Sequence, residues 1–455
     1  MRSSGSDTSD ETNAPARKHR HRAENTADRI DTRPSRRTEL RPVADRLTDT
    51  MKDFSNQIAN RADSRTVEIT AIDTCVVEGN FEWNLVKIET DAGVTGIGEA
   101  YRGGGVPELV EYTERFLLGE NPLDVQRLYR RIIQEMSGHG GTTGKVVTAA
   151  SGIELALWDA AGKLLDLPVY QLLGSKLRDE VRIYCDCHAG EAYAVEDGST
   201  DYADAEAYSP QAYANEARRV VDMGFSALKF DLDLERDNDP DPFNGRLTNG
   251  AIEEKREIVA AVREAIGDDV DLAFDCHWDY SVESAKRLAY ELEPYDLMWL
   301  EDLVPPENMD AQKEVTTATR TPVATGENRF RVHELSGLLY DHGVDIVTPD
   351  PTTVGGLGET MRIADRAEEN YIPISPHNVC SPIGTMACVH LGAVIPNFDV
   401  LEFHALEVDW WDDLIERDQP LIRDGSIEVP ETPGLGVELD DAVVEEHLLD
   451  GTTGF

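Results

Sequence analysis

From residue 181 onward, short apolar runs recur at near-constant intervals with helical patterns between them, and the last six end on polar side chains. Those side chains are Asp275, Glu301, Glu327, Asp350, His377 and Glu402, at spacings of 26, 26, 23, 27 and 25 residues. An interval of that size holds one strand, one helix and two short loops. The runs are 181–184, 227–230, 270–275, 297–301, 323–327, 346–350, 372–377 and 400–402, eight in all. Stretches such as 284–293 and 360–369 between them have the helical period. Eight βα units over roughly 225 residues predict an α/β fold, a (β/α)8 TIM-type barrel of slightly compact size.

Closing such a barrel brings the C-terminal ends of its strands to one face, so the six polar residues meet in one bowl. Five acids and a histidine cannot share a desolvated pocket without a cation or shared protons. Asp275, Glu301 and Glu327 come from three consecutive strands and make a hard oxygen site suited to Mg²⁺. A single acid after a strand is more often a cap for the following helix. Six in register exceed what capping explains.

The chain before residue 181 has a different texture. Apolar–polar alternation at 67–72, a second run after Asn84 and a third at 95–99, entered through Asp91-Ala92-Gly93-Val94, predict a three-stranded antiparallel meander. Helical periods follow at 106–118, 125–133 and 149–165. Strands followed by a run of helices describe an α+β domain. The expected division is a leader at 1–64, the α+β domain at 65–178, the barrel at 179–405 and a C-terminal segment at 406–455 that packs back on the α+β domain. The polar stretch 192–209 reads as an insertion or loop.

Charge narrows the function. The chain carries 88 Asp+Glu against 43 Lys+Arg, a formal net charge of −45. That excludes nucleic acid as the main partner and disfavours anionic membranes. Ten of the 43 basic residues are Lys; an acidic, Lys-poor chain reads as adapted to concentrated intracellular salt, where screening tolerates self-repulsion. The first 50 residues depart from this, with 11 Lys+Arg, 9 Asp+Glu and few large apolar residues. They cannot build a core and are predicted to be disordered, either a nucleic-acid arm or, the favoured reading, a dispensable leader with Met51 as the natural beginning. Cys75, Cys185, Cys187, Cys276, Cys380 and Cys388 form no CxxC pair, which argues against a disulfide framework or zinc site. No apolar run reaches the ~20 residues of a membrane helix. Arg36-Arg37 is followed by Thr38-Glu39-Leu40 rather than the apolar stretch of an export signal, so a soluble cytoplasmic protein is expected. Gly140-Gly141-Thr142-Thr143-Gly144-Lys145 is not a phosphate loop, since His139 stands where its first glycine belongs and Val146 follows the lysine.

With the acids in place, four short words carry a family resemblance: Leu300-Glu301-Asp302, Gly326-Glu327, Val354-Gly355-Gly356-Leu357-Gly358-Glu359 and Ser375-Pro376-His377-Asn378. Over about residues 65–440 the chain resembles the enolase superfamily, in its mandelate racemase-like branch. The resemblance implies Mg²⁺ on Asp275, Glu301 and Glu327, a His377–Asp350 pair, and Glu402 on the eighth strand. It implies that the α+β domain caps the barrel mouth with loops at 77–83 and 136–145. Asn80 and Trp83 in the first and His139 in the second are then candidates to touch substrate, although 79–83 reads equally well as a plain hairpin turn. The shared chemistry is removal of a proton α to a carboxylate, with Mg²⁺ stabilising the enediolate. His377, oriented by Asp350, suits the base.

Two departures choose among reactions. Racemase-like members often carry Lys-x-Lys on the second strand; here it reads Lys229-Phe230-Asp231, so the second base is lost and Asp231 becomes a candidate substrate contact. On the third strand, Asp275-Cys276-His277 places a histidine two residues after a ligand, on the same side of a strand. By resemblance to haloarchaeal sugar-acid dehydratases, His277 is the general acid that expels a β-hydroxyl. Lys229 either touches the substrate carboxylate or balances the acids, and Glu402 could bond that carboxylate if protonated or bridged by a donor. The expectation is a Mg²⁺-dependent aldonate dehydratase yielding a 2-keto-3-deoxy acid, in a symmetric homo-oligomer. Gluconate, xylonate, galactonate and arabinonate all satisfy the chemistry, with xylonate or gluconate first. The alternatives are a racemase, epimerase or cycloisomerase of the same superfamily, or a non-catalytic metal-binding barrel.

Overall fold

A computed structural model describes residues 67–189, 208–233 and 244–455. The leader expected at 1–64 and nearly all of the loop at 192–209 lie outside these residues. Among those described, no helix is long and apolar enough to cross a membrane.

Residues 67–100 form the antiparallel meander: β1 Ile69–Glu78, β2 Glu82–Thr90 and β3 Thr95–Ala100. Its ladders pair Ile72 with Ile88 and Val86 with Gly98. The helices Val106–Glu114, Val125–Glu135 and Lys145–Leu165 cover one face, burying Ile69, Val86 and Ile88 against Leu128, Ile132, Val147 and Ile153. The third helix lies unusually close to the sheet because both surfaces are made of small residues. A Cβ at Gly96 would stand 2.2 Å from the Ala156 carbonyl oxygen, and one at Gly98 would stand 2.3 Å from that of Gly152.

The barrel strands are β4 Glu180–Asp186, β5 Ala227–Asp231, β6 Asp271–Asp275, β7 Trp299–Glu301, β8 Val323–Thr325, β9 Ile346–Val347 and β10 Leu401–Phe403. All pair in parallel, from β10 through β4 to β9. The ring closes through the seventh run, where Ile374 bridges Val347 on one side and Phe398 on the other. That run was expected as a full strand at 372–377 and is reduced to one bridge. Pro373 and Pro376 have no N–H to give, which leaves Ile374 and Ser375 to donate to Asn397 and Val347.

Alternation along the strands sorts inside from outside. Leu228, Phe230, Leu272, Phe274 and Leu300 pack outward under the helices, while Ala227, Ala273, Trp299, Ala324 and Tyr184 fill the barrel floor. Small residues on some strands face large ones on others, so the interior is solid at this level. Above the floor, the inward positions become polar.

The segment after β10 runs over both parts of the molecule. Ser426–Glu428 pairs antiparallel with β4, and Leu448 bridges Val77 at the edge of β1. Trp410 stacks on His447 with ring centroids 3.7 Å apart and meets Trp83 edge-on at 5.4 Å.

Candidate active site

Ladder register assembles the first half of the site. Asp231 pairs with Asp275, and Asp275 with Glu301, so three acids stand side by side at the ends of β5, β6 and β7. Glu327 follows β8. The ligand oxygens of Asp275, Glu301 and Glu327 lie within 4.8 Å of one another, and all three residues are buried. Glu301 Oε1 is a buried oxygen with no hydrogen-bond partner. Burial pushes the Glu301 and Glu327 carboxyls up to about 7, though Lys229 opposes it at Glu301 and His377 does so at Glu327. A buried carboxylate triad with an orphaned oxygen is what a hard divalent cation relieves, so these donors fit Mg²⁺.

Lys229 is fully buried beneath the triad. Its Nζ lies 2.7 Å from Glu402, 3.1 Å from Glu301, 3.2 Å from Asp275 and 3.5 Å from Asp186. Of the two roles open in the sequence, the geometry favours balancing the acids. Burial works against ionisation of Glu402, but Lys229 and His377 outweigh it and hold its carboxyl well below the ordinary range. Glu402 is therefore ionised, bridged by Lys229 and by the Asn378 N–H at 2.7 Å.

His377 Nδ1 meets Asp350 Oδ2 at 2.8 Å, and the other Asp350 oxygen is held by the Thr352 N–H and hydroxyl. The imidazole is thus fixed with its proton on Nδ1 and with Nε2 turned to the bowl, 3.5 Å from Glu327. Burial alone would lower its pKa; Glu327, Glu402 and Asp350 overcome this and raise it well above the ordinary value. The cap braces this pair from above. Tyr101 donates its N–H to the Thr352 carbonyl at 3.2 Å and sets its ring edge-on to His377 at 5.8 Å. Glu99 accepts from Ser381 and Gly384 at the start of the helix Pro382–Val394, and Glu154 from Leu357 and Gly358 at the start of Gly356–Glu369. These are the helices that follow His377 and Asp350.

His277 reaches the bowl by a different route from strand alternation. β6 stops at Asp275, and His277 and Trp278 turn through the left-handed region with φ of 38° and 64°. For non-glycine residues beside a ligand set, such backbone marks a constrained site. The His277 N–H donates to Asp275 Oδ1 at 3.0 Å, and its ring Nδ1 meets Asp233 Oδ2 at 3.0 Å and Asp231 Oδ1 at 4.0 Å. Burial lowers its pKa, but Asp275, Asp231 and Asp233 raise it well above the ordinary value. In the eight-membered ring, the third and seventh strands face each other, so His277 and His377 flank the triad from opposite sides.

The cavity between them measures about 240 Å³, below the roughly 300–1,000 Å³ of drug-sized sites. His277, Glu327, His377 and Lys229 line it together with Phe81, Arg102 and His404. A wider hollow of about 890 Å³ opens between the outer helices Asn249–Ile266 and Val282–Leu292. Its charges include the surface ion pairs Lys286–Glu314 and Arg287–Glu283, and it lies away from the strand ends.

The cap residues fall in three places. Asn80 bonds His404 and the Val379 carbonyl, at the rim of the cavity. Trp83 is buried behind it, donating to Asn80 at 2.9 Å. His139 is exposed in the turn Ser137–His139 and does not line the cavity. His188, His404, Tyr101 and Asp233 were not singled out from the sequence. A signal for two of them existed: Asp186-Cys187-His188 and Glu402-Phe403-His404 repeat the acid-x-His spacing of Asp275-Cys276-His277.

Residues 65–174 match the family Mandelate racemase / muconate lactonizing enzyme, N-terminal domain, and residues 212–443 match Enolase C-terminal domain-like. The chain is 52% identical over 411 residues to a D-xylonate dehydratase of Haloferax volcanii, spanning 89% of this chain and 96% of that protein. It is 32% identical to a D-gluconate dehydratase of Thermoproteus tenax, spanning 80% and 69%. Among solved structures, a mandelate racemase/muconate lactonizing enzyme-like protein from Rubrobacter xylanophilus superposes with a TM-score of 0.82 at 40% identity, spanning 86% of this chain and 99% of that one.

Proposed function

This chain belongs to the enolase superfamily, in its mandelate racemase/muconate lactonizing branch, and from that premise we propose that it removes water from an aldonic acid, D-xylonate first, to give a 2-keto-3-deoxy acid. The observation that carries this reading is the pair of differently supported histidines on opposite sides of one carboxylate triad. Identity to sugar-acid dehydratases supports it independently.

Asp275, Glu301 and Glu327 would hold Mg²⁺, whose charge offsets the negative charge gathering on the substrate carboxylate as the C2 proton leaves. With Nδ1 committed to Asp350, the neutral His377 ring takes that proton on Nε2; a cation on the triad would offset the Glu327 charge that otherwise favours its protonated form. His277, with Nδ1 committed to Asp233, presents Nε2 to the C3 hydroxyl and gives it a proton as the C–O bond breaks. The enol so formed tautomerises to the keto acid. Lys229 and Glu402 keep the floor dry and charge-balanced. Asp231 stands where a second base would be needed for racemisation, and its bond to His188 at 3.3 Å keeps it a carboxylate partner. The excess of acids supports activity in concentrated salt.

The test is a 2-keto-3-deoxy acid assay over a panel of aldonic acids, in molar KCl with and without Mg²⁺. Mg²⁺-dependent product from one or two of them is the expected result. Folded, metal-loaded protein that is silent across the panel, yet exchanges the C2 proton of a carboxylic acid with D₂O, would instead indicate an epimerase or cycloisomerase.

A further inference from the structure

The cap was expected to reach the substrate through two loops, 77–83 and 136–145, and the cavity is built differently. None of residues 136–145 lines it; the cap residues that do are Phe81, Tyr101 and Arg102. Tyr101 and Arg102 directly follow β3, which ends at Ala100. The bond from the Tyr101 N–H to the Thr352 carbonyl pins this point of the cap to the barrel, with the Tyr101 ring edge-on to His377. Arg102 therefore leaves from a fixed piece of backbone, one residue beyond the ring that packs on the base.

Lys229 and Arg102 are the lysine and arginine of the lining, and their surroundings are opposite. Lys229 is buried and shared among four carboxylates. Arg102 is exposed where the cavity meets solvent, and among the described residues it makes no ion pair and no hydrogen bond. Its guanidinium carbon lies 3.7 Å from the centroid of the Phe81 ring and 5.6 Å from that of Tyr101. Phe81 in turn stacks on His404 at 5.3 Å. A guanidinium seated on an aromatic face is held through its π surface, and its in-plane N–H groups keep their capacity to donate. In a chain with 88 acids against 43 bases, an arginine left without an acid at the catalytic cavity points to an acceptor that arrives with the substrate.

We propose that Arg102 is the specificity residue for the far end of the substrate, donating from its guanidinium fork to the hydroxyls on C4 and C5 of the aldonate. The proposal rests on the dehydratase reading above, which fixes the near end: the carboxylate at the triad, the C2 proton facing His377 and the C3 hydroxyl facing His277. With those three groups placed among buried residues, the rest of the carbon chain extends towards the mouth, where Arg102 stands. Neighbouring hydroxyls present lone pairs that two N–H groups of one guanidinium can meet together. A hydroxy acid too short to reach Arg102 forgoes that contact, so the same residue separates sugar acids from their shorter relatives.

Arg102→Met tests the contact with KM and kcat read separately. The variant keeps an apolar arm over Phe81 and orphans no buried partner, so the melting midpoint is expected to stay where it is. Assays run in molar KCl, where the Debye length is about 3 Å, which removes long-range attraction between a cation and an anionic substrate and leaves only contact. Under those conditions KM for the five- or six-carbon aldonate that the wild type dehydrates best is expected to rise about tenfold or more. Turnover at saturation, which depends on His277 and His377, is expected to change far less. D-Glycerate has the carboxylate, C2 and C3 of an aldonate but no C4 or C5, and its inhibition constant as a competitor is expected to be the same in wild type and variant. Arg102→Lys keeps the charge without the fork and is expected to behave like the methionine variant. An unchanged KM in Arg102→Met, a D-glycerate inhibition constant that rises in step with KM, or a lysine variant with the wild-type KM would each overturn the contact while leaving the dehydratase reading intact. A wild type that dehydrates no aldonate would overturn both.

Discussion

Charge on single side chains decides most of what this site can do. His377→Asn removes the base that Asp350 supports, and kcat should fall by about 10²–10⁴-fold while the melting midpoint stays within a few degrees. Turnover left intact in that variant would exclude His377 as the base. Glu327→Gln deletes one charge of three in the triad, and calorimetric Mg²⁺ affinity should weaken at least about tenfold; an unchanged affinity would displace the metal from these residues. The triad, Asp350, His377 and Glu402 were legible in the sequence because each ends a run in one repeating unit. His277 was legible too, though for an incomplete reason, since a turn and not strand alternation brings it to the bowl. His188 and His404 carry the same acid-x-His signal, but their acids flank the triad without belonging to it, so the signal alone does not mark them. Asp233 and Tyr101 had no signal of their own. Their importance comes from contacts made across the fold, His277 in one case and Thr352 in the other.

Regular elements were read well wherever periodicity ran long. The meander and the three helices of the first domain begin and end close to the expected limits. The seventh barrel strand was not legible as a bridge of one residue, since two prolines remove donors without disturbing the apolar pattern. Gly98 shows how narrowly the cap is packed. Gly98→Val would drive a side chain into the backbone of the helix Lys145–Leu165, and a loss of about 1–3 kcal/mol in urea unfolding is expected; a neutral result would mean that the helix can retreat from the sheet. The helix Pro382–Val394 is buried on every side and includes His390, which accepts the Tyr170 N–H at 3.1 Å. Burial pushes the His390 pKa down to about 4. Because the folded value lies below the unfolded one, the neutral ring's contribution is complete above pH ~6.5 and is lost as pH falls towards 4. Between pH 7 and 5 this amounts to roughly 2 kcal/mol. His390→Gln should lose that much less than the wild type over the same interval in urea titrations, and equal losses would rule out this histidine as the source.

At the scale of the whole molecule, the dominant quantity is a net charge of −45. Like charges within one compact body repel over the Debye length, about 10 Å at 0.1 M salt and about 3 Å at 1 M. The melting midpoint should therefore climb steadily with KCl from dilute buffer to molar salt, and NaCl at equal ionic strength should do much the same. A flat profile would show that the acids are already compensated within the fold. The closure of the molecule has a further consequence in time. Residues 447–449 zip onto the free edge of β1, yet a ribosome makes β1 before the whole barrel and these residues after it. Throughout that interval the nascent cap exposes an unpaired edge of β1 near Val77, the kind of edge on which chains aggregate. A ribosome stalled late in the message would leave behind a barrel beside a cap with an open edge.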